Sequence, residues 1–262
     1  MGWAMGRTRN VVAALGIGAA FAMVPAIAAA APNGAQHPVP PQATLVRTDI
    51  FRPGPPARDA AGKATSTVTN CSPDDPSQYL STPAYTGFTS TISDRTAHFN
   101  AATKPAALTT ATSDIQAAFN TWVAENPKAP PFTVTTAAPV VTSATANRHT
   151  DVLFGRAPGN AIAVTYTWRW SDTGQYESDT VFNKRVPWAE IPTTGVGADG
   201  CNETVVAYDL QNIATHELGH IYGLGHPAGD RFATMYAYGY TGETLKRSLA
   251  TSDQIGIDAL YH

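Results

Sequence analysis

Charged side chains are scarce in this chain of 262 residues, since Asp, Glu, Lys and Arg together account for 14% of it. The formal net charge is −3, and the 17 Lys and Arg residues form no basic run. The composition therefore has no feature typical of a protein that binds nucleic acid or an anionic membrane. Beyond the N-terminal region, no apolar stretch approaches the length of a transmembrane helix.

The N-terminus has the organisation of a secretory signal. Two arginines precede an apolar run from Val11 to about Ala31, which is rich in alanine and ends in small residues. The region holds no twin-arginine pair, and the run does not end in a cysteine that could accept lipid. We predict a signal peptide over residues 1–28, with cleavage after Ala28 or Ala30, and a secreted protein without stable membrane association. An uncleaved anchor is the alternative, which the alanine and glycine content of the run disfavours.

A segment of low hydrophobicity follows the signal. Residues 29–83 are rich in proline, alanine, serine and threonine and contain few large apolar side chains. Such a segment is not expected to build a core of its own. It can be a prosegment, a spacer or a strap laid over the catalytic domain, and these alternatives stay open. Regular structure is predicted to begin near Tyr85, within a catalytic domain over residues 84–262.

The segment from His216 to His226 reads HELGHIYGLGH and has the spacing of a catalytic zinc site. His216 and His220 lie one helical turn apart, so their imidazoles reach the same metal ion from one face. Gly223 suits a left-handed residue that ends the helix and returns the chain, which delivers His226 as a third ligand. Three protein ligands leave a fourth position for water. Glu217 is not a ligand and is placed to act on that water as a general base.

The context of the motif predicts a helix from about Leu210 to Tyr222 with Asp209 as its N-cap. Apolar residues recur at helical spacing and are expected to face a core, opposite the histidines: Leu210, Ile213, Ala214, Leu218 and Ile221.

Helical patterns also occur before and after the motif. Ser113 and Gln116 form a candidate capping box for a helix that stops at Asn126 and Pro127. The predicted apolar face of this helix consists of Ile115, Ala118, Phe119, Trp122 and Val123. A second capping box over Thr251–Gln254 opens a short C-terminal helix, which places Ile257, Leu260 and Tyr261 on one face.

Strand patterns fill the region between the first two helices. The clearest is Ala161–Trp170, where large apolar residues alternate with small or polar ones, so that one buried face is expected. The other predicted strands are Phe132–Thr136, Val140–Thr145, Asp151–Phe154 and Tyr176–Phe182.

HELGHIYGLGH, followed nine residues later by Met235, resembles the metzincin metallopeptidases, whose signature is HExxHxxGxxH plus a Met-turn. The order of DLQNIATHELGHIYGLGHP, ATMYAY and LATSDQIGIDALY is most similar to the matrixin family. Pro227 is instead typical of serralysins, but Ala237 stands where serralysins carry a tyrosine. The resemblance implies an α+β fold, with a twisted mixed β-sheet packed on two long helices and a C-terminal helix after the Met-turn.

The resemblance also implies roles for residues beyond the motif. Met235 would form an apolar floor under the zinc ligands, and Asp253 could support the Met-turn. An acidic residue in the first turn of a helix is explained equally well by the helix dipole. Tyr236, Tyr238 and Tyr240 are candidates for the wall of the substrate pocket.

Cys71 and Cys201 allow two readings. An even count in an exported chain favours a single disulfide. The alternative is a cysteine switch, in which the Cys71 thiolate occupies the fourth coordination position of the zinc, as in matrixin zymogens. Asn70–Asp74 only loosely resembles the PRCGxPD of that switch, because it lacks the arginine and the glycine.

The remaining candidate ligands are weaker. His37, His98, His149 and His262 are each interpreted as surface or hydrogen-bonded histidines. Matrixins commonly hold structural calcium and a second zinc. Residues near one turn could offer oxygen ligands, but their spacing matches no known calcium loop: Asp172, Gly174, Glu177 and Asp179.

The sequence thus predicts a secreted, monomeric zinc endopeptidase that binds one catalytic Zn²⁺ and acts on a peptide or protein. A zinc-binding module without turnover is one alternative, and Glu217 argues against it, because a structural site has no use for a carboxylate beside an open position. A peptidase acting on short or cell-wall peptides is the other.

Overall fold

A computed structural model of the chain describes residues 42–54, 94–194, 196, 200–228 and 231–262. Within them the fold is α+β, as predicted. The strands are β1 (Ala43–Pro53), β2 (Thr96–Asn100), β3 (Thr133–Thr135), β4 (Thr150–Gly155), β5 (Ala163–Trp170), β6 (Tyr176–Asn183), β7 (Trp188–Ala189), β8 (Tyr208–Asp209) and β9 (Tyr238–Gly239). The α-helices are α1 (Ala111–Glu125), α2 (Leu210–Ile221) and α3 (Thr251–Leu260), and short 3-10 turns cover Ala101–Thr103 and Leu245–Arg247.

Seven strands form one mixed sheet in the order β3-β2-β4-β6-β5-β1-β9. Strands β3, β2, β4 and β6 run parallel, β5 is antiparallel to β6, and β1 is antiparallel to β5. Strand β9 then pairs with β1 in parallel. The mixed sheet expected from the resemblance is therefore confirmed, and β7 and β8 make a separate two-stranded ladder.

Strand β1 corrects the prediction that regular structure begins near Tyr85. It lies within residues 29–83, yet it forms an eleven-residue strand of the main sheet. Phe51 is fully buried in the core that the sheet shares with α1 and α2. The composition was misleading because main-chain pairing with β5 needs no apolar run, and the rest of the domain supplies the core around Phe51.

Helix α1 begins two residues earlier than the predicted cap at Ser113. Thr110 is the N-cap residue, and Ser113 lies inside the helix, where its hydroxyl donates to the carbonyl oxygen of Thr110 (2.7 Å). The backbone N–H of Thr110 donates to the carboxylate of Glu190, at 2.6 Å. A carboxylate distant in the sequence thus accepts a hydrogen bond at the N-terminus of this helix. No local sequence pattern could predict that contact. The predicted stop is confirmed, since the helix ends at Glu125 and Asn126 is the C-cap.

The alternation in β5 was interpreted as one buried face, but both faces of the strand are covered. Val164, Trp168 and Trp170 pack in a second apolar cluster, away from the helices, with Ala144 and Ala146. The predicted strand Val140–Thr145 is not present. This segment is an irregular loop, and part of it packs on the second apolar cluster. The opposite face of β5 turns small and polar side chains towards α2.

Helix α3 is confirmed, with its capping shifted by one residue. Ala250 is the N-cap, and its N–H donates to the carboxylate of Asp253 at 2.9 Å. Among the described residues, no helix is both long and apolar enough to span a membrane.

Candidate metal centre

Helix α2 carries the motif and has the predicted start. The carboxylate of Asp209 accepts from the N–H of Asn212 at 2.8 Å, which caps the helix. Asp209 also accepts from the guanidinium of Arg247 (2.7 Å), so the cap is itself held in place. All residues of α2 except Gln211 are buried. The predicted apolar face and the histidine face are therefore both enclosed.

The three histidines of the motif come together around one point. Their Nε2 atoms are 3.2 Å apart for His216 and His220, 3.2 Å for His216 and His226, and 3.1 Å for His220 and His226. Zn–N bonds of about 2.0–2.1 Å in a tetrahedron separate two ligand atoms by about 3.3 Å. The spacing of the nitrogens thus fits a zinc ion.

The other ring nitrogen of two of these histidines is fixed by a carbonyl oxygen. Nδ1 of His216 donates to the carbonyl of Thr234 (2.6 Å), and Nδ1 of His220 donates to that of Leu224 (2.9 Å). Because a carbonyl only accepts, these contacts place the proton on Nδ1 and leave Nε2 free for a metal. Burial lowers the pKa of His220 and of His226 to about 3, so the rings are neutral, as metal ligands must be.

The return of the chain after α2 occurs as predicted. Gly223 has φ of 100°, in the region that favours glycine. The N–H of Leu224 then donates to the carbonyl of Gly219 at 3.0 Å, which turns the chain back. His226 is brought opposite the other two rings in this way.

Met235 packs beneath the histidine-bearing helix. It is 1% exposed, and a Cβ atom added to Gly219 would lie 2.3 Å from its Sδ atom. Gly219 therefore permits a close approach that any other residue in the motif's second variable position would block. This placement agrees with the floor expected from the resemblance.

Asp253 supports the turn that contains Met235. Its Oδ2 atom accepts from the N–H of Thr234 (2.7 Å), and its Oδ1 atom accepts from the N–H of Met235 (3.1 Å). The sequence left this role and the helix dipole as equal alternatives. The structure shows direct bonds to the turn, and through Thr234 they reach the ring of His216.

Glu217 is fully buried beside the histidines. Its Oε2 atom accepts from the hydroxyl of Thr165 on β5, at 2.6 Å. Its Oε1 atom has no hydrogen-bond partner among the described residues. Burial raises the pKa of Glu217 well above its usual range. Thr165 was not predicted, and the only signal was its position among the small and polar residues of β5.

Strand β1 brings three unpredicted side chains to the site. The ring of Phe51 lies 4.0 Å from that of His216, and Oδ1 of Asp49 lies 3.9 Å from Nδ1 of His220. Nε of Arg47 donates to Oδ1 of Asp49 at 2.7 Å. Burial raises the pKa of Asp49, although Arg47 opposes the shift. These residues were missed because residues 29–83 had been assigned to an extension.

The three pocket candidates lie on the segment next to β1. Tyr236 and Tyr238 are partly buried with ring centroids 5.4 Å apart, and Tyr238 pairs with Arg52 in the sheet. The ring of Tyr240 covers Gly54, where an added Cβ atom would lie 2.0 Å from its Cε1 atom. The tyrosines therefore contact or flank β1 in this structure.

The candidate calcium ligands do not converge. The carboxylate of Glu177 accepts from the N–H groups of Asn147 and Arg148, and Asp172 instead pairs with the guanidinium of Arg148. Asp179 accepts from the N–H of Thr145 at 2.8 Å. These carboxylates hold the loop before β4, so calcium has no support here.

Of the two cysteines, Cys201 is buried at the start of the segment leading to α2. Cys71 lies outside the described residues, as do the predicted signal peptide and His37. The disulfide and the cysteine switch stay predictions.

Comparison with known proteins bears on most of this domain. A model of the matrixin family matches residues 91–262. "Metalloendoproteinase 1" of Glycine max is 46% identical over 55 residues, which are 21% of this chain and 17% of that protein. The similarity therefore spans about a sixth of that relative's length. The family model favours the matrixin pattern over the serralysin pattern that Pro227 suggested.

Replacing Asp253 with alanine should destabilise the turn that positions His216. The substitution leaves the buried N–H groups of Thr234 and Met235 without acceptors, at a cost of about 1–3 kcal/mol each. We expect a lower melting temperature and a fall in zinc affinity of about 10- to 100-fold, measured by competition with a chelator. Asp258→Ala on the same helix is the matched control, because it removes only a hydrogen bond from the side chain of Asn126 and leaves the partners of the turn in place. Unchanged zinc affinity in the Asp253 variant would show that the turn does not position His216.

Proposed function

This chain belongs to the matrixin family, and on that premise we propose that it is a zinc-dependent endopeptidase with Glu217 as its general base. The observation that carries the proposal is the arrangement of three Nε2 atoms 3.1–3.2 Å apart, next to a buried carboxylate with one oxygen that has no partner among the described residues. A zinc-binding module without turnover would not need that carboxylate.

His216, His220 and His226 are the residues that would hold the zinc. Bound zinc supplies Lewis-acid chemistry, which polarises a peptide carbonyl and makes water a stronger acid. The carbonyls of Thr234 and Leu224 keep two of the rings in the orientation that binding needs.

Glu217 moves the proton in this proposal. Thr165 holds Oε2, so Oε1 is the oxygen left to accept a proton from the attacking water. Glu217 then returns the proton to the amine that leaves from the cleaved bond. Thr165 is a positioning residue, because it acts through Glu217.

We further propose that β1 is the inhibitory strand of a prosegment. Strand β1 lies between β5 and β9 and pairs with both through its main chain. With β1 in place, His216 and Glu217 are fully buried and His220 is 3% exposed. A substrate peptide could not reach these groups, so the strand must leave before catalysis. Of the alternatives for residues 29–83, this arrangement favours the prosegment over a spacer.

The vacated groove would take an extended peptide. Both neighbours of β1, strands β5 and β9, would then offer unpaired main-chain groups to a new strand. Strand β1 is eleven residues long. This length favours a protein or long peptide as substrate over a dipeptide or a short cell-wall peptide.

Replacing Glu217 with alanine should abolish turnover without removing the metal, because all three histidines remain. In protein from which the β1 segment has been removed by limited proteolysis, we expect hydrolysis of a peptide library to fall by about 10²- to 10⁴-fold, with zinc content by elemental analysis unchanged. Glu203→Ala, an exposed glutamate, is the control. Near-normal turnover in a folded, zinc-loaded variant would eliminate Glu217 as the general base.

Replacing Phe51 with alanine tests the inhibitory strand. Phe51 is fully buried, and a Phe-to-Ala change in a core costs about 3–5 kcal/mol, so β1 should leave the groove more often. We expect kcat/KM of the full chain for a peptide substrate to rise at least about tenfold. Leu45→Ala, 44% exposed on the same strand, should change little. If β1 is instead a permanent part of the enzyme, Phe51→Ala will lower both the melting temperature and kcat/KM.

We also propose export of the protein as a monomer with a Cys71–Cys201 disulfide. The support is the N-terminal apolar run and the even cysteine count. The exported chain should begin at Ala29 or Ala31, and non-reducing peptide mapping should give one linked pair. Two free thiols, with activation by Cys71→Ser, would instead favour the cysteine switch.

A further inference from the structure

A second cluster of metal-binding side chains lies at the start of β2 and β4, apart from the motif. It consists of Asp94, His98 and His149, whose ligand atoms all lie within 4.8 Å of one another. Oδ2 of Asp94 lies 3.0 Å from Nδ1 of His149 and 3.6 Å from Nε2 of His98. The two imidazole rings face each other edge to face, with centroids 4.8 Å apart.

These distances match a tetrahedral zinc site. Ligand atoms about 2.0–2.2 Å from zinc are separated by about 3.3 Å from one another. One of the two distances from Asp94 is shorter than that value and the other is longer. In the motif, the spacings of 3.1–3.2 Å between the nitrogens are close to the same value. Asp94 therefore lies from both imidazoles at about the separation that one zinc ion needs, and all three ligand atoms lie within 4.8 Å of one another.

The burial of His98 points to a missing ligand. The residue is 7% exposed, and neither Nδ1 nor Nε2 has a hydrogen-bond partner among the described residues. A buried ring nitrogen without a partner is costly, and a metal ion at Nε2 would remove that cost. A hydrogen bond alone does not explain the ring, because the nearest carboxylate oxygen is 3.6 Å away.

Hydrogen bonds also orient Asp94 and the turn that carries His149. The N–H of Thr96 donates to Oδ1 of Asp94 at 2.9 Å, which leaves Oδ2 turned towards the histidines. The N–H of His149 donates to the side chain of Asn147 at 2.9 Å, which fixes the turn into β4. Asp151, opposite His98 in the sheet and 1% exposed, adds negative charge nearby.

We propose that Asp94, His98 and His149 bind a second zinc ion with a structural role. Two imidazoles with one carboxylate suit zinc rather than calcium, which prefers oxygen ligands alone. The ion would join the residues that lead into β2 to those that lead into β4, across more than fifty residues of sequence. The interpretation of His98 and His149 as surface or hydrogen-bonded histidines would then extend to a shared metal site.

Zinc content tests this proposal in the full chain with Glu217→Ala, which prevents self-cleavage. Elemental analysis after exhaustive dialysis should give two zinc ions per chain. His98→Ala and, separately, Asp94→Asn should each lower the count to one and lower the melting temperature. His262→Ala, an exposed histidine outside both clusters, should retain two ions.

One zinc ion per chain in the parent protein, or two in a folded Asp94→Asn variant, would overturn the proposal. Should His98→Ala fail to fold, Asp94→Asn and His149→Gln decide the outcome, since both positions are partly exposed. The readout is independent of peptide hydrolysis. A failure of the proposed peptidase activity therefore leaves the metal count interpretable.

Discussion

Three imidazole nitrogens that lie 3.1–3.2 Å apart are the constraint on which the rest of this site depends. Their lone pairs point at one another, which is unfavourable without a cation between them. Two carbonyl oxygens fix two of the rings, and each carbonyl depends on a further support. Thr234 is held by Asp253 from α3, and Leu224 follows the left-handed Gly223. The last helix and the turn after α2 thus serve the same centre.

Two buried carboxylates belong to this centre. The carboxylates of Glu217 and Asp49 are both buried, and burial raises the pKa of each. Glu217 keeps one oxygen bound to Thr165, and Asp49 keeps one bound to Arg47. Each also has one buried oxygen without a partner among the described residues. Buried groups left unsatisfied in this way are often found at functional sites.

Strand β1 completes the sheet and closes the site through the same contacts. It supplies main-chain pairing to β5 and β9, and Phe51 fills the core beside His216. The sheet therefore gains stability from the segment that we propose to block catalysis. In a prosegment this combination is advantageous, because the domain folds with its groove already paired and gains activity only when the strand is displaced.

The sequence by itself determined the features that depend on residues close together along the chain. Helix α2, its Asp209 cap, the turn at Gly223 and the grouping of His216 with His226 all follow from spacing within one short segment. Helical and strand geometry have fixed periods, so local patterns of this kind carry over directly into space. Tertiary structure alone decided what distant segments contribute. No sequence period predicts contacts between distant segments, because the folding of the whole chain sets them. Such contacts are Glu190 at the start of α1, Thr165 beside Glu217, strand β1 over the site and Asp94 beside His149.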